Sequence, residues 1–196
     1  MSDLHVPDPP LSDGVVTLRP PHQGDRATIV AACQDPEIPR WTLVPTPYTD
    51  SDAGAFLAMA DAGWSVGIGA FFAIAPAPRP DELIGLISLD LPREGPSEVG
   101  YWMSAGGRGR GYATRALHLA SAWAIGALGV EQIMLKTLIG NIGSERVAAK
   151  AGYVEIAGGV CHQRGVERPS RIWQLAATPT RVSERREPPP QGNRAA

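Results

Sequence analysis

The sequence predicts one α/β domain, a mixed central sheet with helices on both faces. Three observations carry that expectation. At 196 residues the chain suffices for one well-packed domain and is short for two. Segments of strand and helix character alternate as β-α-α-β-β-β-α-β-α-β-β, an order that packs helices against a sheet. The alternation is confined between two polar, proline-rich ends.

The elements follow in chain order. Residues 1–13 are proline-rich and polar and are expected to be flexible. "VVTLRP" from Val15 is a short β-branched strand, and "GDRATIVAACQD" reads as a helix behind its turn residues. "PEIPRWTLVPTPYT" has too many prolines for either element and is expected to be a loop anchored by Trp41. In "DSDAGAFLAMADAG" the residues Ala53, Phe56, Leu57 and Ala60 form one helical stripe. "AFFAIA" and "LIGLISLD" read as strands around the turn "PAPRPDE", and "SEVGYWM" as a third. Ala113, Ala116, Leu117, Ala120, Ala124, Ala127 and Leu128 recur at helical spacing and predict a long helix. "IMLKTLI" is a buried strand. "NIGSERVAAKAG" is a helix capped by Asn141 and stopped by Gly152. "YVEIAG" and "SRIWQLA" form a hairpin joined by a polar stretch from Val160 to Pro169. The expected domain is thus 14–177, followed by a disordered tail over 178–196, charged, proline-rich and nearly devoid of apolar side chains.

Composition excludes several function classes. A net charge of -2 leaves no footprint for general nucleic-acid binding. The two cysteines, Cys33 and Cys161, are far apart, and the histidines show no metal-binding spacing, so neither a disulfide framework nor a zinc site is expected. The start of the chain has no signal-peptide pattern. The apolar segment from Trp64 to Pro78 falls short of the ~20 residues a membrane span needs and is broken by glycine and proline. A metal-free, reduced, cytoplasmic protein is expected. Cys161 and His162 are not a nucleophile pair, because adjacent residues on a strand point apart.

The chemistry concentrates at "EVGYWMSAGGRGRGYATRAL". Between a strand and a helix lie Gly106, Gly107, Gly109 and Gly111, with Arg108 and Arg110 among them. Glycine is costly inside regular structure. At a helix N-terminus, however, it lets an anion approach first-turn amides that lack an intrahelical partner, where the helix dipole favours negative charge. Arg108 and Arg110 are expected to add positive charge. A P-loop would need a GK[ST] ending, which "GRGYAT" lacks. A dinucleotide fingerprint would follow an early strand and end the next one on an acid, whereas Glu131 precedes the following strand.

Arg108-Gly109-Arg110-Gly111-Tyr112-Ala113 resembles the Gln/Arg-x-x-Gly-x-Gly/Ala motif of the GNAT N-acetyltransferases, which holds the pyrophosphate of acetyl-coenzyme A. Downstream, "NIGSERVAAKAGY" is similar to the second signature of that family, and "EVGYWM" to the strand entering its pyrophosphate loop. "RWTLVPTPYT" resembles the substrate side of the subgroup that includes ribosomal-protein N-terminal (alanine) acetyltransferases. The resemblance spans Val15 to Leu175 and implies a mainly antiparallel sheet.

It implies direct transfer of an acetyl group from acetyl-CoA, the co-substrate, to a primary amine, a peptide N-terminus or a small molecule. The alternative is a coenzyme-A-binding sensor or interaction module without catalysis. Intact Asn141 and Ser144 favour the enzyme. Coenzyme binding falls to the backbone of Arg108, Gly109, Arg110, Gly111, Tyr112, Ala113 and Thr114. Amides near Met103 are expected to be freed for the pantetheine and acetyl carbonyl by a splayed strand. Asn141 is expected to cap its helix and hold the pantetheine arm. Ser144 is the candidate donor to the departing thiolate, and Glu98 the candidate base for the amine. Many relatives carry a general-acid tyrosine where this chain has Ala148, so the thiolate is either met by Ser144 or leaves unaided. Tyr101, Trp102, Trp41 and Trp173 are as well explained by packing as by recognition. No metal, nucleic acid or membrane partner is expected; a homodimer is the one assembly anticipated.

Overall fold

The computed structural model describes residues 4–177. Its strands form one sheet in the order β1-β2-β3-β4-β5-β6-β8-β7. The strands are β1 (Leu11–Ser12), β2 (Val16–Arg19), β3 (Gly69–Pro76), β4 (Gly85–Asp90), β5 (Ser97–Met103), β6 (Gln132–Leu138), β7 (Val154–Gln163) and β8 (Val166–Ala176). The helices are α1 (Arg26–Cys33), α2 (Glu37–Trp41), α3 (Asp50–Val66), α4 (Tyr112–Leu128) and α5 (Ile142–Lys150). Every strand pair is antiparallel except β5 with β6. That pair is parallel because α4 carries the chain back across the sheet between them.

The sheet separates two apolar cores. On one face α4 sets Ala116, Leu117, Ala120 and Ala124, all fully buried, against Phe72 and Ile74. Alanines repeating every fourth residue let the helix lie close to the strands. On the other face Ile29, Ala53 and Leu57 of α1 and α3 cover Ala73 and Leu86. β3 is buried along its whole length, which explains its unbroken apolar sequence. The stripe on α3 is realised at Ala53, Leu57 and Ala60, and Thr49 and Asp52 close a reciprocal capping box at its start.

Four expectations are corrected. Segment 37–41, read as loop, forms α2: Pro36 is its N-cap and Pro39 lies in the first turn, where a missing N–H costs no helical bond. The polar stretch 160–169 is mostly strand, because β7 and β8 run on to a two-residue turn at Arg164-Gly165, both with positive φ (53° and 75°). Its polar side chains serve α2, as described below. At the N-terminus, the flexible segment expected through residue 13 ends in structure. Leu11–Ser12 pairs with β2, Leu4 and Leu11 pack on the α4-side core, and Asp13 accepts from Arg115 at 2.7 Å. Ala127 is exposed rather than on the buried face of α4. Residues 1–3 and the tail expected over 178–196 lie outside the described residues.

Candidate active site

The site opens where β5 and β6 part. Their ladder holds three pairs only, Ser97 with Ile133, Glu98 with Met134 and Val99 with Leu135. Beyond Val99, β5 stays paired with β4 as far as Met103, and β6 with β8 as far as Leu138. The edge of β5 from Gly100 to Met103 that faces β6 therefore has no ladder partner, which leaves its backbone groups open to another one. This is the splay that the resemblance implied near Met103.

The glycine loop stands directly behind the splay. Gly109 and Gly111 sit at φ 73° and 79°, a region costly for residues with a Cβ. A Cβ at either would meet no atom within 4 Å, so the loop is open outward. Gly111 is the N-cap of α4 and supplies no side-chain cap. The α4 ladder begins with the Arg115 N–H donating to the Gly111 carbonyl, so the amides of Tyr112, Ala113 and Thr114 precede it. An uncapped, glycine-lined helix N-terminus fits a pyrophosphate.

The two loop arginines diverge. The Arg110 guanidinium lies 5.2 Å from the Tyr112 ring centre, beside the open amides. Arg108 turns the other way, and this corrects the expectation that its side chain adds charge to the loop. Its Nη1 pairs with Asp35 at 2.7 Å, and its Nε donates to the Met103 carbonyl at 3.1 Å. The Glu37 amide, followed by Arg108, holds the Asp35 carboxyl below its ordinary range, against the opposing effect of burial. Arg108 thus braces the end of β5 against the α1–α2 junction.

Across the splay, Asn141 caps α5 as expected: its Oδ1 accepts from the Ser144 N–H at 3.2 Å. That leaves its amide hydrogens for another acceptor. The Ser144 Oγ lies 2.7 Å from the Tyr101 hydroxyl. Burial pushes the Tyr101 phenol up to about 12 against the opposing pull of that hydrogen bond, so it keeps its proton at neutral pH. Ala148, one turn further along α5, is fully buried in the α4-side core.

Glu98 stands on the other face of β5, as alternation requires. Its Oε2 accepts from Lys136 Nζ of β6 at 2.6 Å, both side chains about two-fifths exposed (43% and 39%). The same face carries Trp102, which packs on the α1–α3 core.

Above it, the β7–β8 hairpin clasps α2. Gln163, almost fully buried, donates to the carbonyls of Pro39 (3.1 Å) and Thr42, while Arg168 donates to the Arg40 carbonyl (2.9 Å) and to Gln163 Oε1 (2.6 Å). These bonds supply the partners that carbonyls at the end of α2 lack within the helix. The guanidinium groups of Arg40 and Arg168 lie 4.7 and 5.8 Å from the Trp41 ring. It also reaches the β6–α5 turn, where a Cβ on Gly140 would lie 3.9 Å from it. Trp173 donates to Thr137 at 2.9 Å inside the protein, which makes it a packing residue.

The fold therefore gathers Met103, the loop, Asn141 and Ser144 around one opening, with Glu98 on the reverse face of the strand. Sequence reading missed Tyr101 as the partner of Ser144, Asp35 as the partner of Arg108, and Gln163 as the hairpin clasp. Alternation did put Tyr101 on the face opposite Glu98, but no local signal marks what it meets. Among the described residues no cluster of His, Cys, Asp and Glu could hold a metal ion, and no helix is long and apolar enough to cross a membrane.

A parted parallel pair beside an open glycine loop at a helix N-terminus is the arrangement the resemblance to coenzyme-A-dependent acyltransferases implied. The acetyltransferase (GNAT) domain family model matches residues 16–154, and the chain belongs to that family. It is an N-acetyltransferase that takes its acetyl group from acetyl-CoA. Solved structures share the fold. RimJ of Mycobacterium smegmatis in complex with CoA-disulfide is 21% identical, with 84% of this chain and 83% of that one covered, at a TM-score of 0.72. The ribosomal-protein-S5-alanine acetyltransferase of Vibrio fischeri is 17% identical over 85% and 96%, at 0.74. The Microcin C7 self immunity acetyltransferase MccE in complex with acetyl-CoA and AMP is 18% identical over 87% and 100%, at 0.73. No curated protein sequence matches the chain.

Proposed function

We propose that the chain acetylates the α-amino group of a protein N-terminus, with the amine entering from the α2 side of the sheet and the coenzyme from the α4–α5 side. The observation that carries this reading is the parting of β5 from β6 after Val99, which opens the sheet between Glu98 on one face and Ser144 on the other. The likeness to ribosomal-protein acetyltransferases supports the choice of acceptor.

Each residue has a definite task in this reading. The amides of Gly109 to Thr114 hold the pyrophosphate, with Arg110 adding charge beside them. The free edge of β5 near Met103 takes the pantetheine and offers N–H groups to the acetyl carbonyl as its oxygen gains charge. Asn141 holds the pantetheine arm with the amide hydrogens its cap leaves over. The Ser144 hydroxyl meets the thiolate as the C–S bond breaks. Acetyl-CoA itself supplies the activated acyl group, and no enzyme nucleophile is required.

An α-amino group has a pKa of about 8, so much of it is protonated at neutral pH and needs an acceptor for its proton. Glu98 is that acceptor, directly or through water. It already receives an ammonium, that of Lys136, at 2.6 Å.

The test is release of CoA from acetyl-CoA with a panel of acceptors: peptides with free N-termini, the same peptides Nα-blocked, a polyamine and an aminoglycoside. Turnover on the free peptides, lost on blocking, is expected. Acceptance of only the small amines would move the acceptor class. Coenzyme binding without turnover on any of these would place the acceptor outside the classes tested.

A further inference from the structure

Tyr101 is a half-buried phenol that the reading above leaves idle, yet its hydroxyl touches the residue assigned to the departing thiolate. Three facts bear on it. The Tyr101 hydroxyl and Ser144 Oγ are 2.7 Å apart across the splay. The backbone N–H of Ser144 is tied to Asn141, so the serine's position is set on its main-chain side as well. The position where many relatives carry an acidic hydroxyl is the buried Ala148. The strand, not the helix, brings a phenol to this place.

We propose that Tyr101 is a positioning residue for acetyl transfer: by donating its hydrogen to Ser144 Oγ, it turns the serine's own hydrogen toward the coenzyme sulfur. The inference rests on the assignment of Ser144 made above. A hydroxyl that accepts one hydrogen bond while donating another is polarised, so its donation to a charged sulfur is strengthened. The direction is set by the inventory of hydrogens. Once Ser144 donates to sulfur, only the phenol has a hydrogen left for the bond between the two oxygens.

The pair does not protonate the sulfur outright. Moving the serine proton to sulfur and the phenol proton to serine would leave a half-buried phenolate. Its conjugate acid sits at about 12, more than three pH units above an ordinary thiol at roughly 8.5. That transfer is uphill by more than a thousandfold. The sulfur therefore leaves with the bonding electron pair as a thiolate, held by two hydrogen bonds in series, and takes its proton from solvent.

This account makes a prediction that needs no acceptor. A thiolate held by such a donor is favoured in the complex, so the thiol of bound CoA titrates below that of free CoA. By linkage, CoA then binds more tightly as pH rises toward the free thiol value. Acetyl-CoA has no thiol and serves as the control. The charged neighbours, the Glu98–Lys136 pair on the opposite strand face and the Glu145–Arg171 contact beside Ser144, are common to both complexes, so their effects cancel in the ratio of the two affinities.

The experiment is calorimetric titration of CoA and of acetyl-CoA from pH 7 to 9.5 with wild type, Tyr101→Phe and Ser144→Ala. In wild type the CoA affinity relative to acetyl-CoA should rise about seven- to twenty-fivefold over this range, as expected where hydrogen bonds to a charged group lower the bound thiol by roughly 1–2 pH units. Ser144→Ala should abolish the rise. Tyr101→Phe, which keeps the ring, should cut it about fivefold or more with acetyl-CoA affinity unchanged at pH 7. Tyr101→3-fluorotyrosine, a stronger donor of the same shape, should enlarge the rise, and it decides the matter if the phenylalanine variant fails to fold. A full rise in Tyr101→Phe, or no enlargement in the fluorinated protein, overturns the proposal and leaves Ser144 its role. A rise that survives Ser144→Ala, or is missing from wild type, overturns both.

Discussion

Gly111→Val separates the backbone cost of the glycine loop from its use. Gly111 sits at φ 79°, ψ 0°, the left-handed region, and a Cβ there would meet no protein atom within 4 Å. The substitution thus strains the backbone without a clash. A left-handed non-glycine residue costs roughly 1–2 kcal/mol, and a β-branched one the upper end or more. For a chain of this size each kcal/mol lowers Tm by about 2–4 °C, so about 4–8 °C of destabilisation is expected. Gly129 is a matched control: it ends the same helix at φ 71°, also with nothing within 4 Å. Gly129→Val should lose a similar amount. The ligand then distinguishes them. Acetyl-CoA at a hundred times its Kd stabilises a folded protein by about 2.7 kcal/mol, or roughly 5–11 °C here. Wild type and Gly129→Val should show that rise in a thermal-shift assay. Gly111→Val should show none, because its isopropyl group stands in the open space that the first-turn amides face. An intact rise in a folded Gly111→Val protein would refute the loop as the pyrophosphate site. Equal loss in both variants would mean that strain, not blocking, governs binding.

Three other outcomes follow from particular residues. Glu98→Gln should slow turnover with a deficit that shrinks as pH rises and the acceptor amine becomes neutral; a wild-type turnover–pH profile would make Glu98 a structural partner of Lys136. Burial alone would raise Asp25, 2% exposed, but the Arg19 guanidinium (2.7 and 2.8 Å) and the His22 amide outweigh it and hold the carboxyl below its ordinary range. Its stabilisation is therefore complete above about pH 4 and is lost as pH falls through the lowered value. Asp25→Ala should cost about 3 kcal/mol at pH 7, with the gap to wild type closing in acid-unfolding curves. Removal of residues 178–196, whose composition offers little to a packed core, should leave coenzyme affinity and turnover unchanged in the same assays.

What could be read without coordinates is what neighbours in the chain decide among themselves. The spacing of Ala116, Ala120 and Ala124 marks the buried face of α4, because one helical period is a local property. Asn141 capping α5 through the Ser144 N–H is an i to i+3 contact, visible as a pattern of letters. The glycine loop is legible for the same reason: a turn, a helix N-terminus and open amides lie within ten residues. The prolines of 36–39 misled because their effect depends on the helical position each occupies, and a proline in a first turn breaks nothing. The polar stretch 160–169 misled because its side chains are satisfied by the carbonyls of α2, more than a hundred residues away in sequence.

The rest belongs to the tertiary structure. Tyr101 meets Ser144 across 43 residues of chain, and Arg108 meets Asp35 across a still longer gap, through strand register and helix placement that no local pattern encodes. The ladder between β5 and β6 ends after three pairs although both strands continue, each held by its other neighbour. Sequence names the residues that carry chemistry because side-chain type and local backbone geometry are written in adjacent letters. Which of them share a hydrogen bond is set by how β5, β6 and α5 pack, and that packing is decided by the two cores on either side of the sheet rather than by the residues of the site.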